Sequence, residues 1–403
     1  MNNTYRHTVH ACFLGYIVQA IVNNYAPLLF LTFRETFGIP LEKITLLTTI
    51  NFGLQLIIDL VSAGVVDRIG YRVCAVIAHL SAAVGFLLLA FLPYVFPDPF
   101  CGILISVMFY ATGGGLLEVL ISPIMEACPT DNKEKAMSLL HSFYCWGHVA
   151  VVLVSTVFFT LFGIRNWRIL AMLWALVPLY NAFTFARVPL APIVPDGVEG
   201  LSISRLLSMP VFWLMILFMV CSGASEQAVS QWASAFAEAG LGNSKTMGDL
   251  AGPLFFASLM GLSRLLYGQY GDRIDLRRFM AGSCMLCVFA YLLIVFAPWP
   301  WLSLVGCGLC GLSVGIMWPG TFSLSSQALR GGGTAMFAFL ALAGDMGCSS
   351  GPTLVGLVSA AFSNNLKTGI LAAILFPLLM LLLLPLLRRL QPSGTTRSVD
   401  DPV

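Results

Sequence analysis

The chain has 403 residues, 58% of them hydrophobic, and only 40 charged ones: 21 Lys and Arg against 19 Asp and Glu, a net charge of +2. A soluble globular protein carries about a quarter of its residues as charges, so a soluble protein is excluded. No stretch between the apolar runs is long enough for a soluble catalytic or regulatory domain. The near-neutral balance and the lack of any basic run leave no electrostatic footprint for nucleic acid.

Apolar runs of about 20 residues, each able to cross a hydrocarbon layer of roughly 30 Å as a helix, recur from residue 11 to residue 387. A membrane β-barrel would alternate apolar and polar residues instead. The runs predict an all-α membrane protein with twelve transmembrane helices. These are α1 (11–33), α2 (43–66), α3 (73–95), α4 (100–126), α5 (136–162), α6 (167–187), α7 (209–238), α8 (248–270), α9 (278–297), α10 (301–327), α11 (333–362) and α12 (368–387). The first run continues through Asn23, Asn24 and Tyr25, well past the short core of a cleavable signal, and is expected to stay in the protein.

With both termini cytoplasmic, the inner segments carry 14 Lys and Arg residues and the outer ones 6, with Arg264 left inside a span. The positive-inside rule selects this orientation, that of a multi-pass protein expected in a bacterial inner membrane. The longest central interruption, 188–208, contains Pro189, Pro192, Pro195, Gly197 and Gly200 and reads as a cytoplasmic linker. It separates an N-terminal six-helix bundle (1–187) from a C-terminal one (209–390), followed by a tail (391–403). A repeat supports the division: Asp67-Arg68-Ile69-Gly70-Tyr71-Arg72 follows α2, and Asp272-Arg273-Ile274-Asp275-Leu276-Arg277 follows α8, 205 residues later. Parallel six-helix repeats place a solute site near mid-membrane at their interface, and the halves rock around it.

These residues resemble the Gly-x-x-x-Asp-Arg-x-Gly-Arg-Lys loop of the major facilitator superfamily. Asp67, Arg68, Gly70 and Arg72 match it; Ala63 replaces the first glycine, while the second copy keeps Gly268 and has Asp275 where the later glycine would stand. The resemblance implies the two-bundle fold, with α3, α6, α9 and α12 facing lipid. It also implies a cytoplasmic gate in which Asp67, Arg68, Arg72, Asp272 and Arg273 latch the halves. Short basic loops alone are expected of any inner-membrane protein; an acid beside Arg at both repeat positions favours the latch.

A narrower similarity is to the fucose permease-like, proton-coupled sugar transporters. It is carried by the Gly-rich, Glu-containing segment Gly113–Pro129, by Leu139–Gly147 with its His-Ser-Phe-Tyr, and by Trp318-Pro319-Gly320-Thr321-Phe322-Ser323-Leu324. Glu118 falls on that family's proton-coupling glutamate. Ser122-Pro123 replaces its Asn-Pro, and Asn23 and Asn24 occupy the region of its α1 aspartate, so the two-acid mechanism does not carry over intact.

A charge at the bilayer centre costs at least ~2.5–3.5 kcal/mol, and Asp59, Glu118, Glu226, Arg264 and Asp345 all lie well inside spans. Glu118 and Glu226 are the candidates for proton coupling, and Glu226 can alternatively bind solute hydroxyls or amines. Helical spacing gathers polar residues into stripes: Tyr16, Gln19 and Asn23; Asn51, Gln55 and Asp59; His141, Tyr144 and His148; Ser222, Glu226 and Ser230, with Gln227, Gln231 and Trp232 beside them. Gln19, Asn23, Asn24, His141, Tyr144, Gln227, Gln231, Trp232 and Trp318 are the candidate solute contacts. Interhelical adhesion is the competing reading for the uncharged ones. The aromatic residues among them, with Trp146, can stack on a sugar ring or an organic cation, or simply pack. Arg264 stands at the repeat equivalent of Asp59. It is either an anion site or, because embedded acids outnumber it, the partner of an acid such as Asp345 or of groups on α5. Asp59, His148, Arg264 and Asp345 are thus assigned to interface or charge pairing.

Cys284-x-x-Cys287 and Cys307-x-x-Cys310 lie in apolar helices without nearby His and read as small packing residues, not a metal site. Asn2-Asn3-Thr4 is a glycosylation sequon on the expected cytoplasmic side. No Walker loop, nucleophile elbow or His-Glu-x-x-His is present, so an enzyme is not expected, and no cofactor beyond a coupling ion. The sequence predicts a secondary active transporter, taken as monomeric, whose partners are a small solute and the lipid bilayer. Proton symport of a sugar-like compound leads, and carboxylates at a helix break can also ligate sodium. Proton antiport of amphipathic or cationic compounds is the alternative, and a non-transporting receptor of the same fold is a third reading.

Overall fold

The computed structural model describes residues 5–193, 201–231, 233, 245–363 and 365–390. The twelve helices are α1 (Arg6–Asn24), α2 (Leu41–Ile69), α3 (Tyr71–Val95), α4 (Pro99–Ala127), α5 (Lys133–Phe162), α6 (Trp167–Arg187), α7 (Pro210–Ser230), α8 (Lys245–Tyr270), α9 (Leu276–Phe296), α10 (Pro300–Ala328), α11 (Gly333–Ala361) and α12 (Leu366–Leu383). In the first bundle α3 packs on α4 and α6, and α1 on α4 and α5; in the second α7 packs on α11, and α9 on α10 and α12. The bundles meet mainly where α5 runs along α8 and α2 along α11.

Three boundaries differ from expectation, each for a local reason. α1 starts at Arg6 and stops at Asn24, because Pro27 cannot continue the hydrogen-bond ladder; a 3-10 turn (Ala26–Leu29) and a separate helix (Phe30–Phe37) follow. The described part of α7 ends at Ser230, and beyond Gln231 and Ala233 its predicted remainder to 238 lies outside the described residues. α10 breaks after Val314 and resumes at Met317. The cause is Pro319, which has no N–H to offer the carbonyl of Gly315 one turn earlier.

The two repeat loops turn by different chemistry. Gly70 takes φ +96°, open to glycine at little cost, between α2 and α3. At the equivalent place Asp275 keeps an ordinary negative φ and caps α9, its carboxylate accepting from the backbone N–H of Arg278 at 2.8 Å.

Small residues allow the tightest helix pairs. A Cβ built on Gly113 of α4 would stand 2.5 Å from the Ala78 carbonyl oxygen and 2.8 Å from the Ala82 nitrogen of α3. Gly347 and Gly351, one turn apart, put α11 directly on the α7 backbone at Val220 and Ala224. Gly113→Val is therefore expected to lower stability by about 1–3 kcal/mol through overpacking. Gly53→Ala, with nothing within 4 Å of the added carbon, should leave the detergent unfolding transition unchanged.

Apolar stripes cover the outside: Ile77, Leu80, Val84, Leu87 and Phe91 on α3, and Leu371, Leu375, Leu378 and Leu382 on α12 are exposed at helical spacing. Two polar residues of the outer helices meet inside the bundle. His79 on α3 is fully buried; its Nδ1 donates to the Ala75 carbonyl at 2.7 Å, which leaves Nε2 to accept from Asn181 Nδ2 of α6 at 2.8 Å.

Candidate functional site

Among the described residues, hydrogen bonds between the bundles run from one end up to the level of Cys145. Asp67 at the end of α2 accepts from Thr334 at the start of α11. Across the pseudo-symmetric seam, Asp272 forms an ion pair with Lys135 and accepts from Asn132 Nδ2 at 2.9 Å. Asn132 also caps α5, its Oδ1 accepting from the Lys135 N–H at 3.0 Å, so the helix start and the seal share one side chain. Glu134 accepts from Tyr267 at 2.7 Å and from Gln327 at 2.6 Å, and Glu126 accepts from Ser326 at 2.8 Å. Among the described residues, every side-chain hydrogen bond between the bundles lies between this end and the level of Cys145. Of the motif residues the acids bridge. Arg68 and Arg273 are exposed, and Arg72 donates to the Phe185 carbonyl at 2.9 Å inside its own bundle. The bridging partners Glu134, Tyr267, Gln327 and Thr334 carried no sequence signal, being common polar residues at loop edges.

The Lys135 hydrogen bond holds the Asp272 carboxyl below the usual carboxylate range. A lowered pKa keeps the pair intact above it and loses the pair only as pH falls through that value, so the seal should not vary across the neutral range. Asp272→Asn is expected to speed amide hydrogen exchange at the start of α5 and the end of α8, with α3 and α6 unchanged.

Above the seal, polar side chains converge from both bundles. Glu118 on α4 is half-buried and accepts from Gln19 Nε2 at 2.8 Å. Gln19 is itself buried, so it holds Glu118 instead of facing the cleft. Asn23 is half-buried and accepts from Gln55 at 3.0 Å and from Asn51 at 3.3 Å, with half-buried Tyr144 near it and Asn24. His141 is buried below, where Tyr16 meets Ser122 at 2.8 Å and the His141 Nε2 at 3.2 Å, and the ring packs against Phe322.

From the second bundle, half-buried Glu226 and Gln227 touch at 3.5 Å, and exposed Gln231 donates to Gln227 at 3.2 Å. Trp318 stands half-buried against Gly344 and edge-on to Phe322; Trp232 lies outside the described residues. Arg264 is 4% exposed and fully engaged. Its Nε donates to the Gly315 carbonyl, freed by Pro319, at 2.8 Å, and its Nη1 to the His141 carbonyl at 3.0 Å and Cys145 Sγ at 3.1 Å. Its ion-pair partner is Glu226 at 3.6 Å, not Asp345; α10, broken at Gly315, packs on both α7 and α8, whereas Asp345 sits on α11 by the other seam. Among the described residues Asp345 and His148, both half-buried, make no hydrogen bond or ion pair, so neither is a pairing residue here. Asp345 lies instead within electrostatic reach of Glu118 and Asp59.

The cleft therefore presents two half-buried carboxylates from opposite bundles, Glu118 and Asp345, without a basic partner, and a third, Glu226, neutralised by Arg264. Among the described residues no three His, Cys, Asp or Glu side chains form a group able to hold a metal ion.

A variant of the fucose:proton symporter FucP of E. coli matches this structure with a TM-score of 0.81 at 16% identity, over 96% of this chain and 99% of that one. A second FucP structure, in the outward conformation, gives 0.82 at 16% identity over the same shares. The proton:xylose symporter XylE bound to 6-bromo-6-deoxy-D-glucose gives 0.79 at 11% identity, over 94% and 95%. The human organic anion transporter MFSD10 gives 0.72 at 14% identity, over 94% and 99%. No curated protein sequence matches the chain. These likenesses show the fold, and the model of the Major Facilitator Superfamily matches residues 12–352. With two helical bundles, a seal at one end and a family match over most of its length, the chain belongs to the Major Facilitator Superfamily of transporters.

Proposed function

We propose that the protein is a proton-coupled symporter of a small sugar-like solute, working by alternating access. The observation that carries this is Glu118: a half-buried carboxyl at the cleft, held by Gln19, with no basic partner to neutralise it. Such a group exchanges charge with a proton at less cost than it bears an uncompensated charge in the membrane. The end sealed by Asp67 and Asp272 is, by the distribution of basic residues, the cytoplasmic one, so the cleft in this state faces outward. In the proposed cycle Glu118 is protonated from outside, and solute binds among Asn23, Asn24, Tyr144, Gln227 and Trp318. The halves then rock, and both leave to the cytoplasm. The activities of FucP and XylE, fucose:proton and proton:xylose symport, point the same way.

A second reading, proton antiport of cationic compounds, draws on Asp345, the additional unpaired carboxylate. Thermal unfolding with a panel of neutral monosaccharides, amino sugars and lipophilic cations separates the two. A ligand that binds the folded state raises the transition temperature. Stabilisation by neutral monosaccharides supports symport, and stabilisation by lipophilic cations alone supports antiport.

A further inference from the structure

The two seams between the bundles carry opposite chemistry at equivalent positions. On α8, eight residues before Asp272, stands Arg264; on α2, eight residues before Asp67, stands Asp59. At 1.5 Å per residue each lies roughly 12 Å above its seal. Arg264 is surrounded by acceptors: two backbone carbonyls, a thiol and a carboxylate. Asp59 is 0% exposed, and neither of its carboxyl oxygens has a hydrogen-bond partner.

A carboxylate buried without hydrogen bond or cation costs several kcal/mol, so its charge must be matched. The helices packed against α2 here are α4 and α11, and the titratable groups they bring near Asp59 are Glu118 and Asp345, both acids. Among the described residues these three acids form no group able to hold a metal ion. Solute has no access either, since the side chain is wholly enclosed. A proton is small enough to reach it, and protonation removes the charge that the enclosed site leaves unmatched.

We infer that Asp59 is a second proton carrier, separate from the solute cleft, which keeps its proton while the α2–α11 seam is closed and gives it up when the seam opens. The inference rests on the proton-coupled reading above and adds a site to it. In the structure the seam is held at its end by Thr334 and Asp67. When the halves rock, water enters from that end, the carboxyl O–H bond of Asp59 breaks, and the proton passes to water. Return to the closed state with the cleft facing outward reloads Asp59 by way of Glu118 and Asp345. The opposite seam cannot exchange in this way, because an Arg at the equivalent position stays charged throughout. One seam is a permanently charged hinge and the other a titrating one.

Infrared spectroscopy of the full-length protein in lipid tests this without a solute. At neutral pH the wild type should show a protonated-carboxyl C=O band that is absent in Asp59→Asn and shifts only slowly in deuterated buffer. Thr334→Val, which removes the hydroxyl that bonds Asp67 and so loosens the seam without touching Asp59, should speed that shift at least tenfold. A carboxyl region unchanged in Asp59→Asn would overturn the inference, as would a rate indifferent to Thr334→Val. A second measurement uses uptake of L-fucose, D-xylose or D-glucosamine into proteoliposomes. Where one is accumulated, the ratio should rise with the square of the imposed proton gradient in the wild type and linearly in Asp59→Asn. A linear dependence in both overturns the second site alone. Accumulation that ignores the proton gradient altogether, with the infrared band intact, removes the symport reading instead.

Discussion

Glu118→Gln is expected to abolish proton-driven accumulation while leaving solute exchange in place. The amide keeps an oxygen for the Gln19 N–H that now reaches Glu118 at 2.8 Å, so the cleft retains its shape and loses only its exchangeable proton. An imposed gradient of about 2 pH units is worth about 2.7 kcal/mol per proton, or ~100-fold in accumulation. At least that factor should vanish in the variant, with counterflow of preloaded solute within about twofold of wild type. Loss of both activities together would make Glu118 a solute contact and leave the coupling site elsewhere.

The largest effect on stability is expected at Arg264. Its guanidinium joins α8 to the broken carbonyl of Gly315, to α5 of the other bundle and to Glu226. Arg264→Ala leaves the half-buried Glu226 charge and the Gly315 carbonyl unmatched, at a cost of about 3–5 kcal/mol. Neutralising the stranded partner should recover much of this: Arg264→Ala with Glu226→Gln is expected to unfold at a higher temperature than Arg264→Ala alone. Combination with Asp345→Asn should give no such recovery, because Asp345 is not paired with Arg264. Equal rescue by both would mean that the charge is balanced by the cleft as a whole.

The sequence makes the twelve-helix architecture legible because hydrophobic run length is a local quantity, and the Asp-Arg repeat exposes the pseudo-symmetry. The break in α10 was also present in the sequence, as a residue four before a proline, and α1 ended early at Pro27 for a related reason. Pairing was not legible. Which acid meets Arg264 depends on helix rotation and tilt, and spacing along one helix carries no information about either; hence the sequence points to Asp345 where the structure has Glu226. Gln19 shared a stripe with Asn23 and looked like a solute contact, yet its buried side chain supports Glu118. His79 and Asn181 carry no sequence signal, because isolated polar residues in outer helices resemble tolerated exceptions; they are bonded to each other inside the bundle.

The most direct measurement is uptake into proteoliposomes of purified protein, with a proton gradient imposed, inside alkaline, and no other ion gradient. The proposed mechanism requires that a monosaccharide which stabilises the protein against heat be concentrated inside the vesicles, and that Glu118→Gln prevent it. Uptake that only equilibrates, is driven equally by sodium alone, or proceeds unchanged in Glu118→Gln would contradict it.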